Sequence, residues 1–233
     1  CYPENVAWVG PRFGANIMLD RSIDEPLSDE ELEQLAPIGP MMYQGFGKNV
    51  CEVNGVGLDL ADAVQGDFRN MLDALAIHFA DNDFLLGDRP CLADFALAGA
   101  SKAHFINDPE PKSWLGEHRD MLHEYTERFF CDWQGELAPW PADDQVPDSL
   151  QTLLDYLQGS YYNSAPANIA AGLAGEKHYE YDCGYGTTRA RTQKRLKLAR
   201  LHVQDELQRA GAAHDAGVQA LFAGRGILEH YLN

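Results

Sequence analysis

One stretch limits what this chain can become more than any other: Phe84-Leu85-Leu86-Gly87-Asp88-Arg89-Pro90-Cys91-Leu92-Ala93-Asp94-Phe95-Ala96-Leu97. Gly87 and Asp88 are turn formers, and Pro90 fixes the backbone just ahead of a helix start. Asp94 then falls at the third helical position. Its carboxylate can reach back to the N–H of the capping residue and sit at the positive end of the helix dipole. The cap position holds Cys91. A thiol is a weak acceptor, so the side-chain half of a capping box is expected to be missing, a loss of about 1 kcal/mol. The helix N-terminus also favours a thiolate, which leaves a second reading in which Cys91 is reactive. From Leu92 to Phe105 the sequence is apolar on nearly every side, with Gly99 and Ser101 as points of close approach. A helix of that composition belongs at the centre of a bundle.

Helical periodicity surrounds this segment. Between Leu58 and Phe79, the residues Ala61, Val64, Phe68, Met71, Leu72, Leu75 and Phe79 recur at three- and four-residue steps, the pattern of a helix with one core-facing stripe. A first helix is expected from about Pro3 to Leu19, interrupted near Gly10-Pro11 because proline removes a backbone donor and clashes with the preceding turn. Ser28 and Glu31 make a capping box for a short acidic helix, Asp29 to Leu35. Met41 to Val50 reads as another helix weakened by Gly45 and Gly47, and Arg119 to Phe130 as an amphipathic one. Pro139, Pro141 and Pro147 mark Gly135 to Pro147 as a connecting loop. Beyond it, Ser149 to Ala174 is helical with a bend at Pro166. His178–Asp182 and Thr187–Arg191 flank the turn Cys183-Gly184-Tyr185-Gly186 as a short β-hairpin. Thr192 to Ala210 and Asp215 to Phe222 close the chain as helices. The expected fold is all-α: a helical bundle over residues 1–134, a Pro-rich connection over 135–147, and a helical extension with one short hairpin over 148–233, packed on the bundle.

Composition removes several function classes. A net charge of -18 opposes binding to nucleic acid and to anionic membrane surfaces. The local exception, Arg189 to Arg200, reads as a solvated helix face because no aromatics interleave it. No apolar run reaches the roughly 20 residues of a membrane span. Cys1, Cys51, Cys91, Cys131 and Cys183 are scattered without a CxxC pair, which suits a reduced, cytoplasmic compartment and offers no zinc set. His118 and His123 lie five apart, the wrong spacing for a two-histidine metal face on a helix. Neither GxSxG, HExxH nor a phosphate-cradling glycine loop occurs. Tyr161, Tyr162, Tyr179, Tyr181 and Tyr185 suit either an aromatic ligand patch or ordinary core and interface positions.

The stretch Phe84 to Phe95 resembles the phrase that joins a bundle helix to the buried central one in the C-terminal domain of glutathione S-transferases, with Cys91 where the family places Ser or Thr. Leu58 to Phe79 is similar to the helix before that phrase, and Trp114 to Phe130 to the amphipathic helix after the central one. Cys1 to Gly14 resembles the first helix of such a domain, entered partway. The tail from Val146 to Leu207 is similar to the extension of a long bacterial subgroup.

This resemblance implies a division of labour. Glutathione, the co-substrate, is held by an N-terminal thioredoxin-like domain that activates its thiol, and no segment here reads as the βαβ start of one. The chain would contribute the wall for a small hydrophobic electrophile. By that carry-over the substrate-binding positions are Tyr2, Asn5, Trp8, Val9 and Phe13, with no catalytic residue, metal or cofactor in the chain itself. The rival assignment makes Trp8, Val9 and Phe13 plain core. Expected partners are the missing thioredoxin-like domain and a second copy in a homodimer, as is common in the family. The alternative function is a non-catalytic helical module for protein assembly, and a third is a stand-alone ligand-binding bundle.

Overall fold

The computed structural model describes residues 2–23, 25–131, 136–141, 145–159 and 161–232. In chain order the helices are α1 (Pro3–Leu19), α2 (Asp29–Leu35), α3 (Ile38–Met42), α4 (Lys48–Asn54), α5 (Ala61–Phe79), α6 (Leu92–Ala100), α7 (Pro109–Trp114), α8 (Arg119–Glu127), α9 (Leu150–Gly159) and α10 (Tyr161–Ala174). After these come the strands β1 (His178–Asp182) and β2 (Thr187–Arg191), then α11 (Lys194–Arg209), α12 (Ala216–Phe222) and α13 (Ile227–Leu232). Two π-helical turns are inserted, Tyr43–Gly47 ahead of α4 and Ser101–Phe105 after α6. The fold is helical with one two-stranded antiparallel sheet. By internal contacts it forms two compact units, Cys1–Cys51 with Val64–Leu150, and Glu52–Ala63 with Gln151–Asn233.

In the first unit the core gathers Leu72, Ala98, Ile106, Leu115, Leu122 and Tyr125, with Phe68, Phe79, Phe105 and Phe129 packed against it. Aromatic contacts run through it: Phe79 stacks on Tyr125 at 4.3 Å, and Phe68 meets Phe105 edge-on at 5.0 Å. Of the stripe read from α5, Leu72 and Leu75 are buried and Phe68, Met71 and Phe79 half-buried, while Val64 at its start is exposed. α6 departs from expectation. Only Asp94 and Ala98 in it are buried, while Leu92 is 86% and Phe95 56% exposed. Gly99 faces open space. The inward stripe is Asp94, Ala98 and Ser101, at i, i+4 and i+7, and apolar composition on the other faces did not bring burial with it.

The close approach lies elsewhere. α1 runs unbroken through Pro11, with Gly10, Pro11, Gly14 and Ala15 buried. A Cβ on Gly10 would stand 2.2 Å from the Gly39 Cα, and one on Gly39 would stand 2.4 Å from the Val6 carbonyl oxygen. Backbones can cross at that distance only where both side chains are absent. The expected interruption at Gly10-Pro11 is instead a crossing site: proline forfeits one hydrogen bond, and burial against α2 and α3 keeps the helix together.

His78, fully buried on α5, ties the end of this unit. A carbonyl can only accept, so Nε2 carries the hydrogen it donates to the Phe84 oxygen at 3.1 Å. Nδ1 is hydrogen-bonded to the Ser149 hydroxyl at 3.0 Å. Asn82 Nδ2 donates to the His78 carbonyl and to Ser149 Oγ. Ser149 thus serves this junction, just before α9.

In the second unit the hairpin forms as expected, in the register His178 to Arg191 through Asp182 to Thr187. Tyr179 and Ala190 face inward with Ala171 of α10. The Asn168 side chain pairs with the Gln193 backbone in both directions, at 2.7 and 3.1 Å. The Tyr181 hydroxyl donates to the Asn54 carbonyl, and the Thr188 hydroxyl to that of Gly55. Pro166 lies inside α10, and α13 had no clear signal in the sequence. Positions 135 and 142–144 of the proline-rich connection, like Cys1, lie outside the described residues, as do the side chains of Tyr161 and Tyr162. Cys91, Cys131 and Cys183 are free thiols, but Cys51 is disulfide-bonded, so the cysteines are not uniformly reduced as their scatter suggested.

Candidate functional site

Asp94 anchors the motif that directed the fold. Its Oδ1 accepts from the Leu85 N–H at 2.8 Å and from the Tyr125 hydroxyl at 3.0 Å, and Oδ2 accepts from the Cys91 N–H at 2.8 Å. One buried carboxylate therefore holds the turn, the cap and the following helix together. The turn is a tight pair, Phe84 and Gly87 exchanging backbone bonds of 2.8 and 3.0 Å, with Gly87 at φ 102°. The Cys91 sulfur occupies the capping-box position facing the Asp94 N–H, so that half is weakened and not vacated. The ordinary hydrogen bond from that N–H goes to the Cys91 carbonyl, 3.1 Å away. Burial, then the neighbouring Asp94, pushes the Cys91 thiol up from its ordinary pKa. That direction disfavours the thiolate a reactive cysteine needs. Burial and Asp94 likewise raise the Tyr125 phenol well above its usual range.

A second locus lies along α1. A cavity of about 120 Å³ is lined by Asn5, Val6, Val9 and Gly10 of α1, Gly39 and Met42 of α3, and Tyr43, Phe46 and Gly47 of the first π-helical turn. The glycine crossing shapes it by holding α3 against α1. In the π turn the Lys48 N–H reaches back five residues to the Tyr43 carbonyl. Gly47 leaves room for the Tyr43 ring, whose Cδ2 would lie 3.1 Å from a Cβ there. Such turns interrupt α-helices frequently at functional sites. Among the described residues Asn5 and Tyr43 are the polar side chains of the lining, which includes no charged one.

Of the five positions expected to bind substrate, Asn5 and Val9 meet at this cavity; the other three lie apart from its lining. Tyr2 packs edge-on against Trp114 at 5.2 Å. Trp8 is covered by the Arg12 guanidinium, 4.2 Å above its ring, and its carbonyl accepts from Arg12 at 3.0 Å. Phe13 is 37% exposed further along the helix. Asn5 has a structural duty too, since its Oδ1 accepts from the Glu110 N–H at 2.9 Å and so caps the first turn of α7. That partner is 105 residues away and left no local signal. Tyr43, Phe46, Val6 and the Gly10–Gly39 pair were missed, although Gly45 and Gly47 marked the segment as irregular.

Elsewhere, His118 Nε2 donates to Asp73 Oδ1 at 2.7 Å. Among the described residues no cluster of three or more His, Cys, Asp or Glu could hold a metal ion, and no helix is long and apolar enough to cross a membrane.

Residues 57–131 match the family model described as glutathione S-transferase, C-terminal domain. Over these residues the chain is similar to the C-terminal domain of glutathione S-transferases. The matched span takes in α5 to α8 and the Asp94 motif, and so includes the buried carboxylate and its three donors. α1 and its cavity precede the matched residues. No curated protein and no solved structure matches the chain.

Proposed function

We propose that this chain is the substrate-side part of a glutathione S-transferase-like protein, in which a separate thioredoxin-like domain supplies glutathione and activates its thiol. The observation that carries the reading is the cavity along α1, where Asn5 and Val9 meet Tyr43 and Phe46. Its volume suits one aromatic ring, since an apolar protein cavity of about 150 Å³ takes benzene. Neutral walls favour an uncharged, apolar electrophile, with Asn5 or Tyr43 as the hydrogen-bonding handle. Glutathione carries two carboxylates, and among the described residues no cationic side chain lines the cavity to receive them. On this reading the tripeptide is held by another domain.

The test is calorimetric titration of the chain with nitrobenzene as an unreactive analogue, beside Val9→Trp, which fills the cavity. Saturable binding lost in the variant supports the reading. Equal binding by both proteins, or none by either, refutes it. A second reading, a non-catalytic module for assembly, draws on the exposed Leu92 and Phe95 of α6. Under that reading Phe95→Ser abolishes capture of a partner domain while nitrobenzene binding never appears.

A further inference from the structure

α11 is a 16-residue helix none of whose residues is buried. Its inner side holds half-buried Leu196 and Leu207, and Arg200 Nε donates there to the His230 carbonyl at 3.0 Å. On the opposite side Lys194, Leu198, Leu201 and Asp205 form one line at steps of four, three and four, the spacing of a coiled-coil seam. Leu198 is 67% and Leu201 47% exposed. The stripe reads basic, apolar, apolar, acidic, so the same stripe run backwards is its complement.

We propose that two copies of the chain associate through α11, antiparallel about a twofold axis between Leu198 and Leu201. In that register Leu198 of each copy meets Leu201 of the other, and Lys194 of each meets Asp205 of the other, so every contact occurs twice in a closed, self-complementary interface. Arg195 and Glu206 come opposite one another on one flank. A parallel pairing would set Lys194 against Lys194 and Asp205 against Asp205. Within its own helix Asp205 pairs with Arg209, but both side chains are more than 60% exposed, so that pair exchanges readily for an intermolecular one. Each copy carries a net charge of -18, which opposes association at low ionic strength. At about 0.15 M salt the screening length is about 8 Å, and the short-range seam outweighs that repulsion.

The test is sedimentation equilibrium of the full chain up to about 500 µM, a range that populates a contact at the small end of specific interfaces. A monomer–dimer equilibrium is expected. Lys194→Asp and Asp205→Lys should each weaken it roughly tenfold by turning two attractive pairs into repulsive ones, and the double variant should restore it. Leu198→Asp should abolish it while helicity by circular dichroism is retained, because that side chain is already mostly in solvent. A chain still monomeric at the highest concentration overturns the proposal. So does a dimer indifferent to Leu198→Asp, or a double variant no tighter than the singles.

Discussion

Replacing Asp94 by Asn changes little volume and removes one acceptor from a buried carboxylate serving three donors. If the amide oxygen keeps the Oδ1 place, the new NH2 group points at the Cys91 N–H; if it flips, the Leu85 N–H and the Tyr125 hydroxyl meet it instead. Either way at least one hydrogen bond to a charged group is lost, worth about 1.5–3 kcal/mol, and a buried donor is left facing another donor at about 1–3 kcal/mol more. Relief of the carboxylate's own desolvation offsets part of this. The expected destabilisation is about 3 kcal/mol for Asp94→Asn, and about 4–5 for Asp94→Ala, which orphans all three donors and opens a void. For a chain of this length that is a fall of roughly 6–12 °C in Tm for the Asn variant. Urea unfolding followed by tryptophan fluorescence reads it, since Trp114 packs against Phe68 in the same unit. Asp62→Asn, on an exposed position of α5, serves as control and should stay within about 0.5 kcal/mol of the parent. A loss below about 1 kcal/mol for Asp94→Asn would show that the carboxylate is not what joins turn, cap and helix.

Cys91→Ser supplies the stronger acceptor and should stabilise the chain by about 0.5–1 kcal/mol in the same urea experiment; a loss would mean the thiol is there for packing. Gly39→Ala drives a methyl into the Val6 carbonyl, so a loss of at least about 2 kcal/mol is expected, together with lost nitrobenzene binding. The Tyr125 phenol is held above its unfolded value near 10, so its share of stability is complete below that pH and is lost as pH rises beyond it, while the unfolded chain ionises first. Tyr125→Phe should therefore flatten the decline of stability above about pH 10, and an unchanged slope would contradict the buried contact with Asp94. Asp108 raises the His104 pKa, which makes that pair's contribution complete below the unfolded value near 6.5 and lost as pH rises past the folded one; His104→Gln should remove that small acid-side gain.

What was legible in the sequence was local. The Cys91–Asp94 pairing spans three residues, and the α5 stripe follows from a periodicity that burial obeys from Phe68 onward. The hairpin at Cys183 to Gly186 announced itself through turn residues. The rest depended on encounters between distant segments. Asp94 finds Tyr125 31 residues on, and Asn5 finds Glu110 across 105. Gly10 and Pro11 looked like a break because their sequence neighbours offer no reason to keep the helix; Gly39, which fits against them, supplies it. Composition misled at α6, since Leu92 and Phe95 could have faced the core, but three small or polar residues do so instead. Of the five wall positions, two reached the cavity because helix spacing alone cannot say which face of α1 will be opposed by the Tyr43–Gly47 turn.

The central claim is that this chain holds the apolar substrate and leaves glutathione to another domain. Amide chemical-shift mapping with nitrobenzene and with glutathione tests both halves at once. The expected result is shifts from nitrobenzene clustered at Asn5, Val6, Val9, Tyr43 and Gly47, and none from glutathione at millimolar concentration. Glutathione-induced shifts, or nitrobenzene shifts confined to other parts of the chain, would contradict it.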